Sequence, residues 1–519
     1  MIKNIINKFI IEEYEGKCLI FSIISGVLLA LSFERYNLYL LAWVAFIPLI
    51  YCIYKNNFKY SLLYGFIAGI IFSIISINWM FLFLLTNTKS FFDSFVVSIG
   101  MWLYLSVYFC IWSGIVNLIK KLKKIYVIFF MASLWVLLEY IRNYILSGFP
   151  VNLLGYSQFK FLSIIQIADI VGVYGISFVI IIINCLLFYF MENKTKKYLV
   201  ISVIIILNLF VYGNISINKF NNMKYDTELK IGVVQPNIEQ KLKKNDKYKG
   251  KILNRISNCA NKFEDNNKLD ILLYPETVLP KRLEKYPQVR SVVKKIASHS
   301  DITLIGGKSD ARRKVYNTIF VVNNSGGVIN KYRKKHLVLF GEYVPFEGFL
   351  SKIFRKINLL DNLNKNDEIE VCKFRNYVLG INICSENFYP YLSRKFVLQG
   401  ATILTNHSND AWCDGLSLPY QHFVFNIFRA IENRKYLIVS ANTGISGVIS
   451  PTGKIIIQTK NQEQVCFEET VYTNKYITIY DKIGDLFVLF CLLYVFSVFM
   501  FFIYYRLKYH LQMHSCKNF

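Results

Sequence analysis

Three stretches of this chain end an apolar or β-branched run on a side chain that can do chemistry. Leu272-Leu273-Tyr274-Pro275-Glu276 delivers a carboxylate, and Gly380-Ile381-Asn382-Ile383-Cys384-Ser385-Glu386 delivers a thiol with a second acid two residues on. Between them, Tyr332-Arg333-Lys334-Lys335-His336-Leu337 gathers cations, and Phe340-Gly341-Glu342-Tyr343-Val344-Pro345 adds a further acid. A nearby cation and the first turn of a helix both lower a thiol pKa, so a lysine beside Cys384 would make it a plausible nucleophile. A carboxylate can take the thiol proton, and an ammonium can hold the charge of a tetrahedral intermediate. Taken singly, each segment has a plainer reading. A strand-end glutamate is about as often a helix cap or solvated turn. A basic run is more often a solvated face, and a single cysteine is usually an apolar filler of a core.

The elements that must position these groups lie between about residues 228 and 475, where β-branched runs punctuated by Gly, Pro and Asn alternate with amphipathic stretches. Strands are predicted at Leu229 to Val234, Leu269 to Tyr274, Ile302 to Ile305, Thr318 to Val322, Tyr377 to Ile383, Ala401 to Leu404, Leu437 to Ser440 and Val448 to Ile449. Helices are predicted over about 245 to 263, 286 to 299, 386 to 399 and 418 to 434. Such alternation predicts an α/β layered domain with a mixed or largely parallel sheet, and sheets of that kind present their sites beyond strand ends.

The rest of the chain is of another kind. With 519 residues, 54% of them hydrophobic, and a mean hydropathy of +0.35, the protein is too apolar for an ordinary soluble one. Runs suited to crossing a hydrocarbon core of about 30 Å occur at about 18 to 33, 38 to 54, 62 to 85, 94 to 119, 125 to 145, 169 to 191, 197 to 213 and 484 to 506. No small-residue cleavage site follows the first, which therefore reads as a retained anchor. Lys3, Lys8, Lys55, Lys59, Lys120, Lys121, Lys123, Lys124, Lys194, Lys196 and Lys197 fall at alternate ends of the runs. Because basic loops stay in the cytoplasm, they predict a multi-pass membrane protein. Its parts are a bundle of about seven helices (1 to 215), an extracytoplasmic domain (228 to 475), a returning helix (484 to 506) and a cytoplasmic tail (507 to 519). The formal charge of +26 is spread among Phe, Tyr and Ile with no nucleic-acid recognition signature, so no nucleic-acid partner is expected. The eleven cysteines form no CxxC and no metal-like pairing with the six histidines, and no zinc site or disulfide framework is readable.

Taken together, Glu276, Lys334 and Cys384 resemble the nitrilase superfamily, and within it the apolipoprotein N-acyltransferase family. The likeness extends through Val234-Gln235-Pro236-Asn237-Ile238, Asn409-Asp410-Ala411-Trp412, Gln421-His422, Arg429-Ala430-Ile431-Glu432-Asn433-Arg434 and Asn442-Thr443-Gly444-Ile445-Ser446. In the apolar part it includes Leu138-Glu139-Tyr140-Ile141-Arg142, Gly148-Phe149-Pro150, Gly155-Tyr156-Ser157-Gln158 and Gly172-Val173-Tyr174-Gly175. The resemblance implies a nitrilase-like αββα sandwich beside a transmembrane bundle, and that the membrane is the bacterial inner one. It also implies acyl transfer from a membrane phospholipid, through a Cys384 thioester, to the amine of a diacylglyceryl cysteine at an apolipoprotein N-terminus. Glu276 would be the base and Lys334, selected over Lys335 by the family spacing to His336, the oxyanion partner. Glu342 and Glu386 would support them, and neither metal nor organic cofactor is needed. Ser385 and Lys244 stand where the family often has aromatics.

After the lysine segment, Phe346, Phe349, Leu350, Ile353, Phe354 and Ile357 recur at helical spacing with Lys352, Arg355 and Lys356 among them. A packed core stripe and an interfacial arm for lipid contact both account for this pattern. Glu139 and Arg142, three apart near the end of an apolar run, read as an intrahelical pair that reduces burial cost or as a brace of the bundle. Two rival functions remain. A membrane-tethered amidase would resolve the acyl-enzyme with water, and a non-enzymatic scaffold or transporter would not require the three reactive groups together.

Overall fold

The computed structural model describes residues 2–88, 90–145, 148–243, 245–263, 268–311, 313–338, 342, 363–366, 368–413 and 417–515. Phe346, Phe349, Phe354 and Lys244 lie outside them. The chain forms two compact units, one of Met1–Phe81, Phe91–Tyr212 and Asp485–Phe519, the other of Leu82–Ser90 and Gly213–Gly484.

Among the described residues, six helices are long and apolar enough to cross a membrane: Phe58–Ser76, Phe91–Ile119, Lys124–Arg142, Ala168–Asn193, Lys196–Asn221 and Leu486–Lys508. Shorter apolar stretches occupy Gly16–Leu31 and Tyr39–Lys55. The second predicted run, 38 to 54, is not one continuous helix. It divides into a 3-10 turn, Tyr39–Trp43, and a nine-residue helix, Ile47–Lys55. Pro48 supplies the reason, because a residue without an N–H starts a helix well but cannot continue one. Asn184 satisfies backbone freed at the break, accepting from Phe46 N and donating to Ala42 O, each at 2.9 Å. The Glu139 and Arg142 side chains bind neighbouring backbone. Glu139 Oε1 accepts from Leu154 N at 2.6 Å and from the Trp135 indole at 2.9 Å, while Arg142 Nη2 donates to Val151 O and Asn152 O at 3.1 and 3.3 Å. They hold the segment after their helix.

The second unit is a sandwich of two six-stranded sheets. The first sheet contains β1 (Thr227–Gln235), β2 (Leu269–Leu273), β3 (Ser300–Ala311), β4 (Lys314–Asn323), β5 (Val328–Arg333) and β12 (Val465–Thr473), in the order β12-β1-β2-β3-β4-β5. The second contains β6 (Cys372–Phe374), β7 (Tyr377–Ile383), β8 (Ile403–Ser408), β9 (Leu437–Ala441), β10 (Gly447–Ile449) and β11 (Ile455–Gln458), in the order β11-β10-β9-β8-β7-β6. Both follow one plan. An antiparallel edge strand flanks three parallel strands, β1-β2-β3 or β7-β8-β9, and two antiparallel strands follow. The eight inner strands are those predicted from sequence, and the mixed pairing is as expected.

Polar groups lock the two sheets face to face. Ser440 Oγ on β9 reaches Val234 O at 3.1 Å and Leu273 O at 3.4 Å, and His407 Nδ1 on β8 meets Tyr274 O at 2.7 Å. On the outer face of the first sheet, the helix Pro287–Ala297 turns Val289, Val293, Ile296 and Ala297 inward, and Lys249–Ala260 adds Ile252, Ile256 and Cys259. Each buried valine or isoleucine among these contributes about 1.5–3 kcal/mol. The helix Leu418–Asn433, opened by Pro419, and the helix Pro390–Leu398 belong to the second sheet's side of the sandwich.

Candidate active site

Two parallel strands and one antiparallel edge strand deliver the candidate groups. Glu276 follows β2 by three residues, Cys384 follows β7 directly, and Lys334 continues β5. Behind Glu276, a Cβ on Gly306 of β3 would lie 2.3 Å from Pro275 O and 2.7 Å from the Glu276 Cα. Only glycine lets the carboxylate-bearing backbone close onto that strand. Lys334 is pinned through its own backbone, its N–H donating to Asn317 O at 2.8 Å.

The carboxylates and the lysine meet in a buried cluster. Lys334 Nζ lies 3.1 Å from Glu276 Oε1 and 3.0 Å from Glu342, with its side chain 1% exposed. Asn317 Nδ2 bridges the two acids, 2.5 Å from Glu276 Oε1 and 3.0 Å from Glu342 Oε1, and Glu342 Oε2 also accepts from Val338 N at 2.8 Å. Burial pulls the lysine pKa down, but Glu276, Glu342 and Cys384 outweigh it and hold Nζ well above its ordinary value. It is therefore a fixed cation. Asn317 was missed in the sequence, where an asparagine within β4 carries no mark of its two carboxylate partners.

Cys384 is buried and sits at φ +55°, a left-handed conformation that a residue with a Cβ rarely adopts. The turn that begins there, Cys384–Phe388, is a five-residue 3-10 element rather than the first turn of an α-helix, which begins only at Pro390. The expected helix-terminus lowering of the thiol pKa is thus replaced by other forces. Burial and Glu276 push the thiol up, against Lys334 and His422, which lower it. The sulfur is a thiol at rest and requires a base to become a nucleophile.

Glu386 clamps the turn to the lysine segment. Its Oε2 accepts from Ile383 N at 2.8 Å, its Oε1 from Lys335 N and His336 N at 2.7 and 3.2 Å, and both oxygens from the Tyr332 hydroxyl at 3.0 Å. Burial raises its pKa to about 7 despite these donors. The structure therefore brings Glu276, Lys334 and Glu342 into direct contact and ties Glu386 between the lysine and cysteine segments.

Residues 25–186 match the family model for the apolipoprotein N-acyltransferase N-terminal domain, and residues 230–471 that for carbon-nitrogen hydrolases. An apolipoprotein N-acyltransferase of Geobacter metallireducens is 31% identical over 91% of this chain and 92% of that protein. The chain belongs to the apolipoprotein N-acyltransferase family. A second member, from Rickettsia typhi, is 29% identical over 85% of this chain and 88% of that protein. Among solved structures, Saccharomyces cerevisiae Nit3, of the nitrilase superfamily, aligns with a TM-score of 0.38 at 17% identity, covering 48% of this chain and 91% of that one. Family membership accounts for both parts of the chain, since the apolar helices and the sandwich each carry their own matching model.

Proposed function

We propose that this protein transfers a fatty acyl chain from a membrane phospholipid to the N-terminal amine of the diacylglyceryl cysteine of apolipoproteins. In this reading Glu276 removes the Cys384 thiol proton, and the sulfur attacks an ester carbonyl of the lipid. The tetrahedral intermediate collapses to a thioester as the glycerol oxygen leaves, taking that proton from Glu276 and departing as a lysophospholipid. The lipoprotein amine then attacks the thioester, Glu276 takes the amine proton, and the expelled thiolate recovers it as the amide is released. Lys334 stabilises both oxyanions. Two of its three N–H donors are engaged by Glu276 and Glu342 among the described residues, which leaves one to donate to a carbonyl oxygen. Glu342, Asn317 and Glu386 hold these groups in place without touching the substrate.

The observation that carries this reading is the buried lysine held between two carboxylates and interacting with a cysteine on a left-handed turn, in a chain whose described residues include six helices suited to a bilayer. The lysine-rich loops support an extracytoplasmic position for residues 228–475, where lipid and lipoprotein would meet the site. The test is incubation of the purified full chain with phospholipid, followed by mass spectrometry of the Cys384 peptide. An acyl adduct discharged by a diacylated lipopeptide is expected. Discharge by water alone would identify an amidase-type hydrolase, and absence of any adduct would overturn the reading.

A further inference from the structure

The sulfur of Cys384 has a second polar flank that this reaction scheme leaves unused. Asp410 lies just beyond β8, and His422 lies on the helix Leu418–Asn433. The ring Nδ1 meets Asp410 Oδ1 at 2.9 Å, with the two side chains 5% and 2% exposed. The other ring nitrogen, Nε2, is buried with no hydrogen-bond partner among the described residues. The Cys384 sulfur, a ring nitrogen of His422 and a carboxylate oxygen of Asp410 all lie within 4.8 Å of one another.

The surroundings hold this arrangement in place. The Phe388 ring packs edge-on to His422 at 5.0 Å, and Asn387 and Asn426 donate to the His422 carbonyl, each at 3.1 Å. Ser408 Oγ donates to Asp410 Oδ2 at 3.4 Å, and a Cβ on Gly444 would sit 2.0 Å from that oxygen. Residues from three separate motifs, Asn409-Asp410-Ala411-Trp412, Gln421-His422 and Asn442-Thr443-Gly444, thus converge behind the sulfur.

We propose that His422 is a second catalytic cation at the nucleophile, an imidazolium whose Nε2–H donates to the Cys384 sulfur, and that Asp410 is the residue positioning it. The proposal rests on Cys384 being the acylated residue. Burial favours a neutral ring, but Asp410 and Cys384 outweigh it and hold the ring pKa well above its ordinary value. Both ring nitrogens are then donors, one to the carboxylate and one to sulfur. The thiol proton still goes to Glu276, and His422 keeps its own. Because the sulfur anion is the attacking group in the first half-reaction and the leaving group in the second, one stabilising N–H lowers both barriers. The charged groups facing the sulfur are Glu276, Lys334 and His422; those facing the ring are the Asp410 carboxylate and, once its proton has left, the Cys384 sulfur. Phe388, Asn387 and Asn426 carry no charge.

The test is the pH profile of Cys384 alkylation by iodoacetamide, a neutral reagent, read on the Cys384 peptide of the full chain by mass spectrometry. In His422→Asn and Asp410→Asn the midpoint should move up by about one pH unit, so that alkylation below it slows about tenfold. A purely structural role would leave the midpoint where it is. Deuterium exchange at the His422 ring carbon in the unsubstituted protein reads the same ring without any variant, and its midpoint should lie well above 6.5. Profiles of folded variants that superimpose on the parent, or an exchange midpoint at or below 6.5, would overturn the proposal. Should His422→Asn not fold, the exchange midpoint decides alone. An acyl adduct on Cys384 with no midpoint shift sinks only the role of His422, whereas absence of the adduct sinks the acyl-transfer reading itself.

Discussion

In the helical unit, Glu139 and Arg142 spend their charge on backbone, the acid on Leu154 N and the guanidinium on the carbonyls of Val151 and Asn152. In the sandwich, Glu276, Lys334 and Glu342 spend theirs on each other, two acids sharing one ammonium, with a thiol alongside. Glu139, Arg142, Glu276 and Lys334 are all buried, and Glu342 is half-buried. What separates the two clusters is the partner: a charge bound to peptide groups fixes the path of the chain, whereas charges turned on one another keep a field that can act on a third molecule.

The sharpest break in this comparison is Lys334→Met. It leaves the buried Glu276 carboxylate and the half-buried Glu342 facing each other without a cation, which costs about 3–5 kcal/mol. Loss of the proposed oxyanion donor should also lower acyl transfer by about a thousandfold. Thermal unfolding and acyl transfer should fall together, and a variant melting like the parent with near-normal transfer would remove the lysine from both roles. Asn317→Ala is the milder probe, since the cation stays and only the bridge between the acids goes. Misplacing Glu276 should slow transfer up to about a hundredfold, with a smaller loss of melting temperature. In the other cluster, Glu139→Gln should cost about 1–3 kcal/mol through its impaired bond to Leu154 N, while turnover per folded molecule stays unchanged. If turnover falls instead, the distinction between the clusters is wrong.

The sequence was most readable where burial is most complete. The inner strands β1 to β4 and β7 to β10 coincide with the eight predicted ones, and β7 matches residue for residue as Tyr377 to Ile383. The strands not foreseen, β5, β6, β11 and β12, are the four edges of the two sheets. Edge strands face solvent and carry polar residues, as in Val328-Ile329-Asn330-Lys331-Tyr332-Arg333, so their alternation is diluted. The same reason hid how Lys334 is held, because β5 is the strand that carries it. Glu276, Lys334 and Cys384 were singled out as candidates by their spacing and family pattern, and the structure brings the first two into direct contact. Asn317 and the Asp410–His422 pair were not read as parts of the site, since their partners come from distant strands and no local pattern records such a contact. The helix expected at Cys384 failed for a local reason, the left-handed backbone at that residue, which thiol chemistry alone does not reveal.

Gly306 carries no reactive atom, yet a single methyl group there would overlap the peptide that bears the proposed base. A random screen for loss of enzyme function should therefore recover alleles at this position alongside those at the reacting side chains, and a mutational map of the protein would mark as essential a residue whose whole contribution is an unfilled volume.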